Sequence, residues 1–241
     1  MVAVMATAAA MMVGCASNSN QANDDKAKQC EQGKCSDEAK ACNENVKQLV
    51  AANSLEGWEV LLADETVKPE EVYSVKDGVV RAEGKPFGVM YTKEQYGDYR
   101  LHVEWRYPDT TGCDPKWINS GIFLHVQPSE KVWPTTIECQ LCSGKAGDFV
   151  LINGSELAQY QVPAGQERPQ FPVIQRMIKD NESAIGEWNT AEITCTSDTI
   201  RVDINGQLQN YGTGAKHTRG SIGLQSEGCP IEFRNVTLEQ L

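Results

Sequence analysis

Between residues 99 and 141 the chain concentrates side chains that can take or give a proton: His102, Glu104, His125 and Glu138, with Arg106 among them as a fixed positive charge. A carboxyl and an imidazole within reach of one substrate can serve as acid and base, and imidazole titrates near working pH. Glu138 is the candidate essential carboxylate, as base or metal ligand. His125 is a candidate base or metal ligand. Arg106 can hold a hydroxyl or a developing oxyanion, or pair with Glu104 on a surface. Gln140 and Gln225 add amides that can fix a polar ligand. Trp117, Trp133 and Tyr160 stand in long segments without strand pattern, where rings either stack on a ligand or anchor the loop. His102 and His217 are weaker candidates.

Strands must position these groups. Tyr99, Leu101, Val103, Trp105 and Tyr107 alternate with Arg100, His102, Glu104 and Arg106, which predicts a strand buried on one side. Thr199–Ile204 alternates too and runs into Asn205-Gly206, the pair best suited to a type I′ turn. Residues 190–196, 199–204 and 207–211 therefore form a meander. Further strands are expected at 73–75, 78–82, 121–126, 136–141, 221–226 and 231–238. After residue 55 the one stretch with a helical period is near 173–180. Many short strands with turn signals between them predict an all-β sandwich or barrel over residues 53–241. Alternation puts His102, Glu104 and Arg106 on one face of their strand, and Gly121, Phe123 and His125 on one face of the next. Glu138 shares a face with Gln140, and Gln225 with Gly223. Glu104, Arg106, His125, Glu138, Gln140 and Gln225 are thus expected to converge on one open face. For any one of them, a plain solvated strand face is the competing reading.

The chain has 241 residues and a formal charge of −11. That balance disfavours a nucleic-acid partner, which calls for a basic face. Nine cysteines fall into three groups: Cys15 alone, then Cys30, Cys35 and Cys42, then Cys113, Cys139, Cys142, Cys195 and Cys229. Spacing does not decide between disulfides and buried thiols. The Cys139/Cys142 pair ends a strand rather than opening a helix, so a redox site is not expected.

Residues 1–14 are apolar, too short to span a bilayer, and end directly before Cys15. Met12-Val13-Gly14-Cys15 resembles a bacterial lipobox, which implies lipidation of Cys15 and a lipid-anchored, exported protein of the bacterial cell envelope. The run contains no Lys or Arg. Residues 15–52 read as a polar tether, with apolar positions from Ser36 to about Ala52 at the spacing of a short helix.

An ordered set of segments carries a resemblance. It comprises Gly57-Trp58, Val75–Val79, Tyr91–Tyr99, Glu104–Arg106, Asn119–Phe123, Ile137–Leu141, Gly186–Thr190, Asn205-Gly206, Ile222–Gly228 and Ile231–Val236. In this order and spacing the chain resembles the 3-keto-disaccharide hydrolase family over about residues 55–241. The resemblance implies a concanavalin A-like jelly roll acting on glycosides already oxidised at C3. A ketone at C3 acidifies the C2 proton. Its removal expels the C1 substituent, and water then adds, giving net hydrolysis. Such chemistry needs a base, a holder for the enolate oxygen, and an acid for the leaving group. Glu138, His125, Glu104 and Arg106 are the catalytic candidates. Asn119, Gln140, Gln225, Trp133 and Tyr160 are the candidate substrate contacts. A divalent metal could stabilise the enolate, with His125, Glu138 and Glu104 as ligands, although no strong metal spacing is present.

Two other functions share the fold. An ordinary endo-glycosidase of the laminarinase type expects three alternating acids, and Ile137–Leu141 supplies only Glu138 followed by Gln140. A non-catalytic saccharide-binding module would keep the aromatics and the open face.

Overall fold

In the computed structural model, residues 45–241 are described. The apolar run, Cys15, and Cys30, Cys35 and Cys42 lie outside them.

The alternating strand read at residues 99–107 builds the centre of one sheet. This strand, β6 (Tyr99–Arg106), pairs antiparallel with β12 (Asn189–Thr196) on one side and β16 (Ile231–Gln240) on the other. The meander continues outward from β12 through β13 (Thr199–Ile204) to β14 (Gln207–Gly212). Asn205 and Gly206 both take positive φ, 48° and 75°, as the expected turn requires. On the other flank β4 (Val79–Ala82) and β3 (Tyr73–Lys76) complete the sheet.

The second sheet is also antiparallel. Its order is β11 (Val173–Ile174), β10 (Phe149–Ile152), β9 (Thr136–Gln140), β8 (Gly121–Val126), β15 (Ser221–Gly228), β5 (Gly88–Thr92) and β2 (Trp58–Leu62). The two-residue β7 (Ile118–Asn119) pairs with the far end of β15.

The inward faces meet in one core. Leu101, Val103 and Trp105 from the first sheet lie in the same apolar cluster as Ile122, Leu124, Ile137 and Cys139 from the second. Each large side chain buried there contributes roughly 1.5–3 kcal/mol. The Cys113–Cys229 disulfide ties the loop before β7 to the turn after β15, while Cys139, Cys142 and Cys195 are free, buried thiols. A smaller apolar cluster, Val89, Phe123, Val126, Val150 and Ile152, lies on the open face of the second sheet. That face carries the site.

Two local expectations are corrected. Within the described part of the expected 36–52 helix, residues 46–48 form a strand, β1 (Val46–Gln48), because β16 offers a backbone edge to pair with. The stretch near 173–180 is not helical either: Val173 and Ile174 add a strand to β10 instead. In both places tertiary pairing overrides a weak local period.

Candidate functional site

On the open face of the second sheet, alternate side chains line a cavity of about 400 Å³. Glu138 and Gln140 project from β9, Val150 and Ile152 from β10, Gln225 and Glu227 from β15, and Asn119 from β7. Loop aromatics wall it: Phe87, Trp117, Trp133 and Phe171. The Phe87 and Trp117 ring centres are 5.5 Å apart, and Trp133 stands 6.3 Å from both Phe87 and Phe123. Trp117 belongs to a one-turn 3-10 helix, Pro115–Trp117, capped by the Asp114 carboxylate. A few convergent polar groups inside an apolar wall make a small-molecule site.

Glu138 is only 3% exposed. Burial, followed by the negative charge of Glu227, pushes its carboxyl well above the usual carboxylate range. The carboxyl leans over Gly121 on the neighbouring strand. A Cβ at Gly121 would fall 2.1 Å from Glu138 Oε1, so only glycine leaves room for it. Burial likewise pushes Glu227 up to about 7, opposed by hydrogen bonds from Gln225 and Asn119. Asn119 Nδ2 donates to Glu227 Oε2 at 2.7 Å. Gln140 Oε1 accepts the backbone N–H groups of Leu141 and Cys142 at 2.9 and 3.0 Å, which leaves its amide N–H₂ as the end available to a ligand. Glu138 Oε1, Gln225 Oε1 and Asn119 Oδ1 are buried without a hydrogen-bond partner among the described residues. Unpartnered buried polar atoms clustered in one cavity fit a polar ligand that completes them.

Of the expected site residues, the cavity brings together Glu138, Gln140, Gln225, Asn119 and Trp133. Glu104 and Arg106 are not there. Their strand is central in the opposite sheet, and its polar side faces outward. Glu104 accepts hydrogen bonds from Arg234 Nε and Asn235 Nδ2, both at 2.6 Å. Arg106 Nε donates to Glu232 at 2.8 Å, and its guanidinium lies 4.5 Å over the Trp188 ring. Both residues thus sit in surface pairs, but with Glu232 and Arg234 as partners and not with each other as expected.

His125 is corrected as well. Ser221 pairs with Val126 and Gly223 with Phe123, so β8 holds one residue more than β15 across this interval. That bulge reverses the alternation. Val126 takes the open face and His125, at φ 51°, turns away from it. Its Nε2 lies 3.1 Å from the Gly97 carbonyl and its ring packs edge-on against Tyr99, a residue of the core between the sheets. Burial pushes its pKa down. Tyr160 lines a separate surface depression with Arg168 and packs partly against the core. The expected metal set is therefore not assembled: Glu138 faces the cavity, His125 the interior, and Glu104 the far side of the other sheet. Among the described residues no three His, Cys, Asp or Glu side chains come together as a ligand set.

The missed residues are Glu227, Phe87 and Phe171. Glu227 was within reach of the same rule that found Gln225, since it stands two residues further along the strand. The strand was expected to stop at Ser226 and instead runs to Gly228. Phe87 and Phe171 stand in loops that carry no periodic signal.

Among solved structures the fold resembles a Parabacteroides distasonis ATCC 8503 protein provisionally assigned as a glycosyl hydrolase, at 18% identity and TM-score 0.58, covering 86% of this chain and 97% of that one. A second such protein from the same strain aligns at 22% identity and TM-score 0.54, covering 81% and 99%. A Bacillus subtilis carbohydrate binding module aligns at 11% identity and TM-score 0.54, covering 76% and 96%. At these identities the likeness is one of fold: the concanavalin A-like jelly roll seen in saccharide-active and saccharide-binding domains. No curated protein sequence matches the chain. The family model described as the 3-keto-alpha-glucoside-1,2-lyase-like domain matches residues 45–239, so the chain belongs to that family, the 3-keto-disaccharide hydrolase family of the sequence resemblance.

Proposed function

We propose that this domain cleaves glycosides oxidised at C3, by elimination and then hydration. The observation that carries the reading is the pair of carboxyl groups, Glu138 and Glu227, at the floor of an apolar-walled cavity in different surroundings: Glu138 is buried with Oε1 unpartnered, and Glu227 is part-buried and accepts a hydrogen bond from Asn119. Pairs of titratable groups held apart in this way define acid and base. Glu227, near 7, is the base at neutral pH. It takes the C2 proton, and the electron pair moves into the C3 carbonyl as an enolate. The Gln140 amide N–H₂ donates to that oxygen. The enolate then collapses, the C1–O bond breaks, and Glu138, which holds its proton, gives it to the departing oxygen. Hydration reverses the roles. Glu138, now ionised, takes a proton from the water that attacks C1, and Glu227, whose proton has exchanged with solvent while the leaving group departs, protonates C2. Both groups end as they began.

Cleavage in D₂O tests this. Elimination and hydration leave one deuterium at C2 of the released 3-keto sugar, beyond the exchange seen without protein. Hydrolysis at C1 with no C2 label, or equal cleavage of an unoxidised glycoside, would refute it. Glu138→Gln and Glu227→Gln each lower kcat/KM about 10²–10⁴-fold on this reading.

A second reading, saccharide binding without chemistry, is favoured by the likeness to a carbohydrate binding module. Against it, carboxyls buried in an apolar cavity are a poor design for mere adhesion and a usual one for proton transfer. Unimpaired saccharide binding without turnover would decide for it.

We also propose that the protein is exported and lipid-anchored at Cys15. The Met12–Cys15 sequence supports this, as does the Cys113–Cys229 disulfide, a bond kept in oxidising compartments. Failure of the full chain to take up a labelled fatty acid, or equal uptake by Cys15→Ser, would refute it.

A further inference from the structure

Three segments of chain meet where β15 ends, and each carries part of the cavity lining. Residues 84–87 bring Phe87, residues 113–119 bring Trp117 and Asn119, and residues 225–229 bring Gln225 and Glu227. They pack backbone to backbone. Gly228 N–H donates to the Gly84 carbonyl at 2.7 Å, and Cys229 N–H to the Trp117 carbonyl at 2.9 Å. A Cβ at Gly228 would lie 2.1 Å from the Trp117 carbonyl oxygen, and one at Gly84 would lie 2.5 Å from that of Gly228. Both glycines take positive φ, 93° and 80°, so glycine alone makes this junction.

The middle segment has little else to hold it. Residues 109–117 are mostly exposed, and the hydrogen bonds they donate all close within three residues: Thr111 on Asp109, Cys113 on Thr110, Lys116 and Trp117 on Asp114. β7 adds two paired positions, Ile118 with Gly228 and Asn119 with Glu227. The Cys113–Cys229 disulfide is the covalent tie of this segment to the end of β15. Beside that tie Asn119 donates to Glu227 at 2.7 Å, and the Trp117 ring centre stands 5.5 Å from Phe87.

We infer that the disulfide is a positioning element of the cavity: it holds Asn119 on Glu227 and Trp117 against Phe87, and opening it detunes the site while the sandwich stays folded. The kinetic consequence rests on the proposed reaction; the hold on Glu227 does not. The Asn119 hydrogen bond keeps the Glu227 carboxyl lower than burial alone would. The other titratable groups facing Glu227 are Glu138 on β9, Tyr107 after β6 and Cys142 after β9, and burial keeps all three protonated near pH 7. Lys85, Asp114 and Lys116, on the two packed segments, are exposed. Loosening Asn119 therefore raises the Glu227 pKa. A rise of about one unit lowers its ionised fraction about tenfold at any pH below both values.

Carboxyl carbon-13 NMR of glutamate-labelled protein, with the Glu227 signal assigned by Glu227→Gln, reads that titration directly. Cys113→Ser, shown to be folded by near-ultraviolet circular dichroism, is expected to titrate Glu227 about one pH unit higher than the unaltered protein. Phosphine reduction of the unaltered protein, which reaches the bond from part-exposed Cys113 and leaves two thiols, should give the same shift and should change Cys113→Ser no further. Asn119→Ala already carries the shift, so Cys113→Ser should add little to it. An unmoved Glu227 titration in folded Cys113→Ser, or a shift that adds in full to that of Asn119→Ala, would overturn the inference. If the opened protein does not fold, two glycines inserted between Cys113 and Asp114 keep the bridge but free Trp117 and Asn119 from it, and the same two outcomes decide. On a 3-keto-glucoside, kcat/KM of Cys113→Ser should fall about tenfold at pH 6 and much less at pH 9; an equal loss at both would also overturn it. Absence of turnover by the unaltered protein would count against the proposed reaction alone, because the titration is read without it.

Discussion

Gly121→Ala is the sharpest perturbation of this site, because it adds one methyl group and touches one carboxyl. Gly121 does not sit in the left-handed region, so alanine brings no backbone strain of its own. The new Cβ would lie 2.1 Å from Glu138 Oε1 and 2.6 Å from both Cγ and Cδ. To restore ordinary contact near 3.4 Å the oxygen must retreat about 1.3 Å, and even a tight 3.0 Å requires about 0.9 Å. A displacement of about 1 Å at a reacting group lowers rate about 10²-fold. Overpacking also destabilises by about 1–3 kcal/mol. The assay is kcat/KM on a 3-keto-glucoside at a temperature well below the variant's Tm, so that folding loss and rate loss separate. In the Glu138→Gln background the same glycine change should remove little further activity, since both act through one carboxyl. Gly121→Ala with more than half of normal activity, or losses that simply multiply in the double variant, would refute this role for Glu138.

Other outcomes follow from the same geometry. Asn119→Ala removes a hydrogen bond that lowers the Glu227 pKa, so the Glu227 limb of the kcat/KM pH profile should move to higher pH. Arg106→Ala should leave kcat/KM within about twofold and lower stability by about 1 kcal/mol or less, as expected of a part-exposed pair on the other sheet. His125 is buried with its pKa pushed down, so the unfolded chain binds more protons between the folded value and about 6.5. Stability should therefore fall as pH drops through that window, seen by urea titration at pH 7 and pH 5, and His125→Gln should flatten the fall. Cys113→Ser/Cys229→Ser, which opens a loop of 116 residues, should destabilise by about 2–5 kcal/mol in non-reducing denaturation.

Much of this fold was legible because its strands are half-buried. The β6 alternation, the 199–211 hairpin with its Asn205-Gly206 turn, and β9 with Glu138 outward all follow from a period of two. β10 escaped because Phe149–Ile152 is buried on both faces and reads as an unbroken apolar run. The site was half legible for a related reason. Alternation says which residues share a face of one strand, but not which sheet the strand joins. Glu104 and Arg106 alternate as cleanly as Glu138 and Gln140, yet they decorate the other sheet. His125 failed differently, since one inserted residue in β8 reverses every side chain after it, and bulges leave little trace in a sequence. Glu227 was lost to an error of two residues in a strand end. The aromatic walls come from loops, where only long-range packing decides position.

The central claim is that this cavity uses a C3 ketone to break a glycosidic bond. Purified protein incubated with a 3-keto-glucoside and, separately, with its unoxidised parent, and followed by NMR, tests it most directly. The account predicts release of the C1 substituent from the keto form alone, with C2 of the product labelled in D₂O. Release from the unoxidised glycoside, or from neither, would contradict it.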